Sequence, residues 1–324
     1  MKKIAQYIVH SKAANIVAAL LCIYMWLSSA SRHTEEGYIV LTILHFLLYT
    51  LAGLQLMRVN SRLSFDSQKS SFPLTFFFMC CAISPQLETW FPCTTLLLIT
   101  AAISFITHTY RDNQAMGSYF AAFSLISMGS LYTPQLVYLM PVLLMCCGTM
   151  QSLHLRSALA GLLGMLFPYW TSFCVLFLTD NTQRMELFVE ALTAKSTHEL
   201  VPLTLPMGDG NTLTLPTIAV QTVWTLLLVL PAITNLLLTV KSKMQARASQ
   251  LLQITFTIAL IAASLILPSL YKVLQPIIAL LAASIGSTLF TGTPSRGKNI
   301  WFIVLLLLWG LIASLCLWNS FSTF

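Results

Sequence analysis

Uninterrupted apolar runs, such as residues 222–240 and 300–317, are the feature that most limits what this chain can fold into. Only 8% of its 324 residues are charged and 57% are hydrophobic, whereas a soluble domain carries roughly 25% charged residues. A water-soluble fold must cover its surface with polar groups. This composition therefore excludes a soluble fold and indicates an integral membrane protein.

The same runs decide between the two ways of crossing a bilayer. In lipid every backbone N–H and C=O must be paired within the protein, so a span is either a helix or a strand of a closed barrel. Barrel strands alternate polar and apolar residues over about ten positions, and these runs do not alternate. We predict an all-α fold: a polytopic transmembrane helical bundle forming a single integral membrane domain over residues 1–324.

Helix length sets the number of spans, because crossing the hydrocarbon core takes about 20 apolar residues. We predict about eleven spans on this criterion. Their approximate bounds are 14–31, 37–56, 72–87, 93–109, 115–130, 133–150, 157–178, 217–240, 251–270, 273–291 and 299–319. The third segment is short and contains Pro73 and Pro85, so a re-entrant segment is the alternative there.

Charge distribution gives the orientation, because Lys and Arg accumulate in cytoplasmic loops. With the N-terminus inside, the cations on the outside are only Arg32, Arg184, Lys195 and Lys272. The remaining cations fall inside: Lys2, Lys3, Lys12, Arg58, Arg62, Lys69, Arg111, Arg156, Lys241, Lys243, Arg247, Arg296 and Lys298. We therefore predict a multi-pass protein of the bacterial inner membrane with a cytoplasmic N-terminus and an extracytoplasmic C-terminus. Trp26 then falls near the outer boundary, where interfacial tryptophans are common.

Several functions are disfavoured by what the sequence lacks. The net charge of +7 comes from single cations scattered between apolar runs, so we expect no nucleic-acid binding. The chain contains no GxxxxGK[ST], HExxH, GxSxG or CxxC motif, which leaves no strong signal for ATP hydrolysis, proteolysis, ester hydrolysis or thiol redox chemistry. We predict no cofactor-binding residue and no metal site.

The predicted spans contain no Asp, Glu, Lys or Arg. Such residues at bilayer depth usually mark proton or ion pathways, so their absence argues against an ion-coupled pump. His45, in the second predicted span, is an ionisable residue of another type. It is expected to hydrogen-bond between helices, as are Gln221, Asn235 and Gln253.

One long segment, 180–216, cannot cross a bilayer and contains half of the acidic residues. Met185, Phe188, Val189 and Leu192 follow a helical period, which predicts an amphipathic helix in the membrane interface. Alternating Leu and Thr on both sides of Gly208-Asp209-Gly210 then predict a short β-hairpin. We expect this extracytoplasmic excursion to follow the seventh span, with Asp180 among its capping residues.

Four residues are weak candidates for catalysis. Glu35 and Glu36 follow the first span on the outside, where membrane-embedded glycosyltransferases that use polyprenol-linked donors place a catalytic carboxylate. Arg184 and His198 lie in the excursion and could contact the phosphate of a lipid-linked glycan. A solvated turn and a solvated loop face are the alternative interpretations.

A set of short motifs carries a family resemblance over residues 1–180. They are Thr109-Tyr110-Arg111, Gly129-Ser130-Leu131-Tyr132, Leu155-Arg156, Gly161-Leu162-Leu163-Gly164, Pro168 and Phe177-Leu178-Thr179-Asp180. In these the chain resembles a family of uncharacterised multispan inner-membrane proteins of Bacteroidota. Members typically have an Arg-Glu-like pair where this chain has Arg156-Ser157. The resemblance implies a membrane location and no catalytic residue.

Three functional hypotheses follow. The first is a non-enzymatic component or scaffold of a cell-envelope complex, with the lipid bilayer and a membrane protein as partners. The second is a lipid-linked glycan transferase or polymerase acting at the outer face. The third is a lipid or glycan transporter.

Overall fold

The structure is a computed structural model. It describes residues 11–30, 38–63, 72–83, 91–180, 183, 186, 188–190, 202–206, 212–216, 244–266, 271–291 and 296–321. The chain forms two compact units. Unit 1 comprises residues 1–90, 199–241 and 278–324, and unit 2 comprises residues 91–198 and 242–277. The single domain expected over residues 1–324 stays a prediction.

The described residues are almost entirely helical. The α-helices are α1 (Lys12–Ala30), α2 (Tyr38–Leu63), α3 (Phe72–Ile83), α4 (Phe91–Thr107), α5 (Met116–Tyr132), α6 (Leu139–Cys147), α7 (Leu155–Leu178), α8 (Met244–Ile266), α9 (Tyr271–Thr291) and α10 (Arg296–Phe321). Two 3₁₀ segments flank α6, Pro134–Tyr138 and Gly148–Met150.

Three stretches of these helices are long and apolar enough to cross a membrane: Ile39–Asn60, Leu155–Leu178 and Met244–Leu265. Shorter apolar helices cover six further stretches of the described chain: Ala13–Leu27, Pro73–Ala82, Cys93–Thr107, Leu136–Met150, Val273–Gly286 and Asn299–Leu311. This confirms the prediction of a helical fold with several apolar helices, which is consistent with a multi-pass membrane protein. The eighth predicted span, 217–240, lies outside the described residues.

The sixth predicted segment, 133–150, differs from a continuous helix. It consists of the nine-residue α6 between the two 3₁₀ segments. Pro134 stands in the first turn of the leading segment, and its missing N–H and fixed φ favour a new helical start there. Gln151 ends the second segment in the left-handed conformation, which stops a helix.

A stripe of side chains on α2 faces the core of unit 1. The buried positions repeat at alternating spacings of three and four residues: Thr42, His45, Tyr49, Ala52, Leu56 and Val59. This spacing keeps one face of a helix against its neighbours, and α2 packs against both α1 and α3. Gly53 lies beside this stripe. A Cβ there would lie 2.6 Å from Leu74 Cδ1 of α3, so glycine allows the two helices to approach closely.

Aromatic side chains fill the contact between α1, α2 and α3. The Trp26 ring meets the rings of Phe46 and Tyr49 edge-on, with centroids 6.4 and 5.2 Å apart. Phe46 stacks on Phe78 at 5.4 Å and Tyr49 on Phe77 at 5.8 Å. Trp26 is only 1% exposed, and its indole N–H donates to the Cys81 carbonyl at 3.0 Å. The expectation of an interfacial indole is therefore wrong for Trp26, which is a core residue.

In unit 2, α5 packs against both α4 and α7. The face that α7 buries is made of small or hydroxyl-bearing residues and a proline: Ser157, Gly161, Gly164 and Pro168. A Cβ at Gly161 would lie 3.1 Å from the Phe123 ring. At Gly164 it would lie 2.9 Å from the carbonyl carbon and Cα of Phe120 and nearer still to the Phe120 carbonyl oxygen. Gly161 and Gly164 thus allow α7 to lie close against α5.

The two ends of α7 have distinct causes. At the start, His154 has an extended backbone and its N–H donates to Ser157 Oγ at 2.8 Å. This is the capping-box contact between the side chain of the third helical residue and the N–H of the N-cap residue. At the end, Asp180 has φ 52°, and its N–H donates to the Phe177 carbonyl at 3.2 Å. Asp180 therefore terminates α7, and its capping of the following helix stays a prediction.

The excursion is described only in part. Gln183, Glu186 and residues 188–190 are helical, and the Phe188 ring contacts the rings of Tyr169 and Phe173 at 5.8 and 6.0 Å. The backbones of β1 (Pro202–Pro206) and β2 (Thr212–Pro216) pair antiparallel, with Thr204 opposite Thr214. Met185 and Leu192 of the predicted apolar face lie outside the described residues.

Candidate functional site

The four residues proposed for catalysis from the sequence, Glu35, Glu36, Arg184 and His198, all lie outside the described residues. In unit 2, two clusters of hydroxyl-bearing side chains lie along the contact between α5 and α7.

The first cluster, the loop-end cluster, consists of Thr109, Tyr119, Ser152 and Ser157, all buried. Tyr119 Oη and Ser152 Oγ are 2.9 Å apart, and Ser152 Oγ donates to Thr109 Oγ1 at 3.1 Å. Ser157 Oγ donates to the Ser152 carbonyl at 3.0 Å. The cluster thereby ties the end of α4, the start of α5 and the start of α7 to one another.

Hydrogen bonds join the loop between α4 and α5 to the loop that precedes α7, next to this cluster. The Arg111 N–H donates to the Met150 carbonyl at 3.2 Å and its Nε–H to Gln151 Oε1 at 3.0 Å. His154 Nε2 and Asn113 Oδ1 are 2.9 Å apart. Arg111 and Gln151 both have a left-handed backbone, with φ 55° and 56°. That conformation is unfavourable outside glycine and persists only where surrounding contacts hold it.

The second cluster, the mid-seam cluster, consists of Ser127, Ser130 and Tyr169. Ser127 Oγ donates to the Met165 carbonyl at 2.7 Å, so a side chain of α5 bonds the backbone of α7. Ser130 Oγ lies within hydrogen-bond distance of Tyr169 Oη and of the Ser127 carbonyl. Pro168 lies inside α7 beside this cluster. A proline frees a carbonyl one turn earlier, and polar side chains of a neighbouring helix commonly bond such a strained backbone.

The composition of the two clusters limits their chemistry. Every hydroxyl in them is hydrogen-bonded to another hydroxyl or to a backbone carbonyl, and no described carboxylate bonds any of them. Nucleophilic catalysis by a hydroxyl needs an adjacent general base. Within the described residues, the arrangement therefore holds helices together and has no activated nucleophile.

His45 of unit 1 is a separate polar feature. Its side chain is completely buried, and in the part of the chain that the structure describes neither ring nitrogen has a hydrogen-bond partner. The expectation that His45 bonds a neighbouring helix is therefore wrong. Gln253, grouped with it from the sequence, is buried and engaged by other groups. An unpaired buried donor or acceptor lowers stability by roughly 1–3 kcal/mol.

A search for metal-binding clusters in the described part of the chain gives none: no three His, Cys, Asp or Glu side chains come together there. The described cysteines Cys22, Cys80, Cys81, Cys93, Cys146 and Cys147 are buried, and Cys174 is exposed.

The sequence reasoning missed both hydroxyl clusters. A signal was present. Tyr119, Ser127 and Ser130 lie near one face of the fifth predicted span, and Ser157 and Tyr169 lie in the seventh predicted span. Serine and threonine are common in membrane helices and usually bond their own backbone. Which of them reach a second helix depends on the close approach at Gly161 and Gly164, and spacing alone does not give that approach.

A comparison with family sequence profiles identifies one match, over residues 8–208. That range holds 201 of the 324 residues (208 − 8 + 1), more than half of the chain. The chain belongs to DUF6427, a family of unknown function. The DUF6427 match includes both hydroxyl clusters, the aromatic contacts of unit 1 and His45, and it ends before α8 begins. The expected membership of a family without an assigned activity is thus confirmed. No curated protein and no solved structure matches the chain.

Proposed function

We propose that this DUF6427 protein is a multi-pass protein of the bacterial inner membrane that serves as a non-enzymatic component, or scaffold, of a cell-envelope complex. Its N-terminus lies in the cytoplasm and its C-terminus outside. The lipid bilayer and another membrane protein are its partners. The resemblance to inner-membrane proteins of Bacteroidota and the distribution of Lys and Arg support this location and orientation.

One observation carries the proposal. The described polar side chains at the α5–α7 contact pair with one another and with backbone, across helices that meet at glycines. A catalytic site instead presents a nucleophile, a base or an electrophile toward a place where substrate can bind. The residues of this contact are arranged for rigidity, and a scaffold requires a rigid body.

The outer surface of α7 fits a membrane location. Large apolar side chains are exposed along its whole length, among them Leu155, Leu162, Phe167, Trp170 and Phe177. The helix has 24 residues, and a rise of 1.5 Å per residue gives about 36 Å, enough for a hydrocarbon core of roughly 30 Å. Such a face is stable against acyl chains or an apolar helix of a partner.

Partner capture tests the scaffold role. A tagged chain expressed at its native level is cross-linked in intact cells, extracted in a mild detergent and purified. An untagged strain is the control. We expect a membrane or envelope protein to co-purify in fixed ratio. A chain that purifies alone from cross-linked cells contradicts the proposal.

Complementation tests the non-enzymatic character. A deletion strain receives the wild-type gene or a variant in which Glu35, Glu36, Arg184 and His198 are all alanine. We expect the variant to restore the wild-type phenotype at equal protein level. A variant that reaches the membrane at the wild-type level and fails to complement points to the glycan-transferase hypothesis.

A further inference from the structure

Exposed cations gather at one end of unit 2. Here α4 ends and α5 and α7 begin. Arg111, in the connection between α4 and α5, and Arg156, in the first turn of α7, are exposed. His108 and His154 are exposed at the same helix ends.

The acidic side chain described in these connections is Asp112, whose Oδ1 accepts the Gln114 N–H at 2.9 Å. Among the described residues, Arg156 has no ion-pair partner. We call Arg111 and Arg156 the cationic end.

The Arg111 side chain is held in a fixed place. Its guanidinium lies 5.4 Å from the centre of the Tyr110 ring, and its Nε–H donates to Gln151 Oε1. No other described residue bonds the terminal nitrogens, which can therefore contact a ligand. A pre-positioned guanidinium loses less side-chain freedom on binding than a free one and suits phosphate oxygens.

An apolar stripe begins at the cationic end. Leu155, the first residue of α7, is 77% exposed. Successive turns add Leu159, Leu162, Leu166 and Phe177 on the same face. Arg156 follows Leu155 and therefore lies about 100° around the helix, at the border of the stripe. From Leu155 to Phe177 the stripe is about 33 Å long, close to the thickness of a hydrocarbon core.

We infer that the cationic end binds the headgroup phosphate of an anionic phospholipid, with an acyl chain of that lipid along the half of the α7 stripe that lies nearest to the cationic end. This inference rests on the membrane embedding in the proposed function. A phospholipid is the ligand that matches both surfaces, because it joins a phosphate to a long apolar chain. An acidic peptide or a free anion would use the arginines and leave the stripe uncovered.

Native mass spectrometry of the purified full chain measures the binding directly. The protein is extracted in an uncharged detergent and titrated with phosphatidylglycerol or phosphatidylcholine of matched chain length. We expect preferential binding of phosphatidylglycerol. Each cation near a membrane surface contributes about fivefold to the affinity for anionic lipid. The double variant Arg111→Gln/Arg156→Gln should therefore bind phosphatidylglycerol about 25-fold more weakly.

Two further variants separate charge from structure. Arg111→Lys/Arg156→Lys preserves the charge and should retain most of the binding. Arg58→Gln, which removes an exposed arginine near the end of α2 in unit 1, should leave the affinity for phosphatidylglycerol unchanged. Equal loss in the Arg58 variant would show that any cation suffices and would overturn the assigned site.

The remaining outcomes also decide the question. Equal affinity for both lipids, or unchanged affinity in the double Gln variant, overturns the inference. Inorganic phosphate alone is tested against phosphatidylglycerol as protection against thermal unfolding. If the two protect the protein equally, the site binds a free anion and the inference is overturned. Extraction of the chain from membranes by alkaline carbonate would contradict the membrane embedding itself. A chain that resists carbonate and shows no lipid preference contradicts only the lipid site.

Discussion

Gly164 of α7 lies against the backbone of Phe120 in α5, where a Cβ on residue 164 would be 2.9 Å from both the carbonyl carbon and the Cα of Phe120. The obstacle is backbone, which cannot rotate away as a side chain can. This approach brings Ser127 within hydrogen-bond distance of the Met165 carbonyl and Ser130 within reach of Tyr169. The position of one glycine thus determines the geometry of the mid-seam cluster.

Substitution of Gly164 tests this relationship. Gly164→Ala should destabilise the protein by about 2 kcal/mol or more, because the added methyl group forces α5 and α7 apart and strains the packing. The measurement is the thermal unfolding midpoint in detergent. Gly117→Ala in α5 is the control, since a Cβ there meets nothing within 4 Å. It should be neutral or slightly stabilising, and equal effects of the two substitutions would contradict the close approach.

The link between Ser130 and Tyr169 can be measured by a double-mutant cycle. Ser130→Ala and Tyr169→Phe each remove one hydroxyl of the pair, and the double variant removes both. We expect a coupling energy of about 0.6 kcal/mol and at most about 1.7 kcal/mol, the range found for hydrogen bonds between membrane helices. Additive effects of the two substitutions on the free energy of unfolding would show that the hydroxyls do not interact.

Replacement of His45 should raise stability. His45→Leu removes two buried ring nitrogens that have no partner among the described residues and places an apolar side chain against the core of unit 1. The free energy of unfolding should increase by about 1–3 kcal/mol. Leu47→Ala, at a position of α2 that is 58% exposed, should change it little. A clear loss of stability in the His45 variant would mean that the imidazole is bonded in the folded protein.

The indole of Trp26 contributes a hydrogen bond as well as packing. Trp26→Phe preserves an aromatic ring and removes the N–H that donates to the Cys81 carbonyl. Together with the lost ring volume, this should lower the free energy of unfolding by about 2–4 kcal/mol. Trp170→Phe, which changes a tryptophan that is 72% exposed on α7, serves as the matched control. If the two substitutions had the same effect, Trp26 would not be a core residue.

Much of the helical architecture follows from the sequence, because an apolar run without charge has few structures available to it in lipid. α7 was expected over residues 157–178 and covers Leu155–Leu178. The start differs because Ser157 caps the helix from inside its first turn. Ser157 Oγ accepts the His154 N–H, which is one of the two contacts of a capping box.

The pairing of side chains across helices could not be predicted in the same way. The sequence indicates that Trp26 and His45 lie in apolar segments, and tryptophan at a span end commonly faces the interface. Whether the Trp26 indole or the His45 imidazole forms a hydrogen bond depends on which helices are neighbours and on how each helix is rotated about its own axis. Those quantities depend on contacts between residues far apart in the chain, such as Trp26 with Cys81.

Reporter fusions after Phe65, Leu200 and Gln245 test the central claim, that the chain is a multi-pass inner-membrane protein with its N-terminus inside. Paired reporters that are active only in the cytoplasm or only outside it are fused at each position. The account predicts a cytoplasmic signal at Phe65, an extracytoplasmic signal at Leu200 and a cytoplasmic signal at Gln245. A cytoplasmic signal at Leu200 would contradict it.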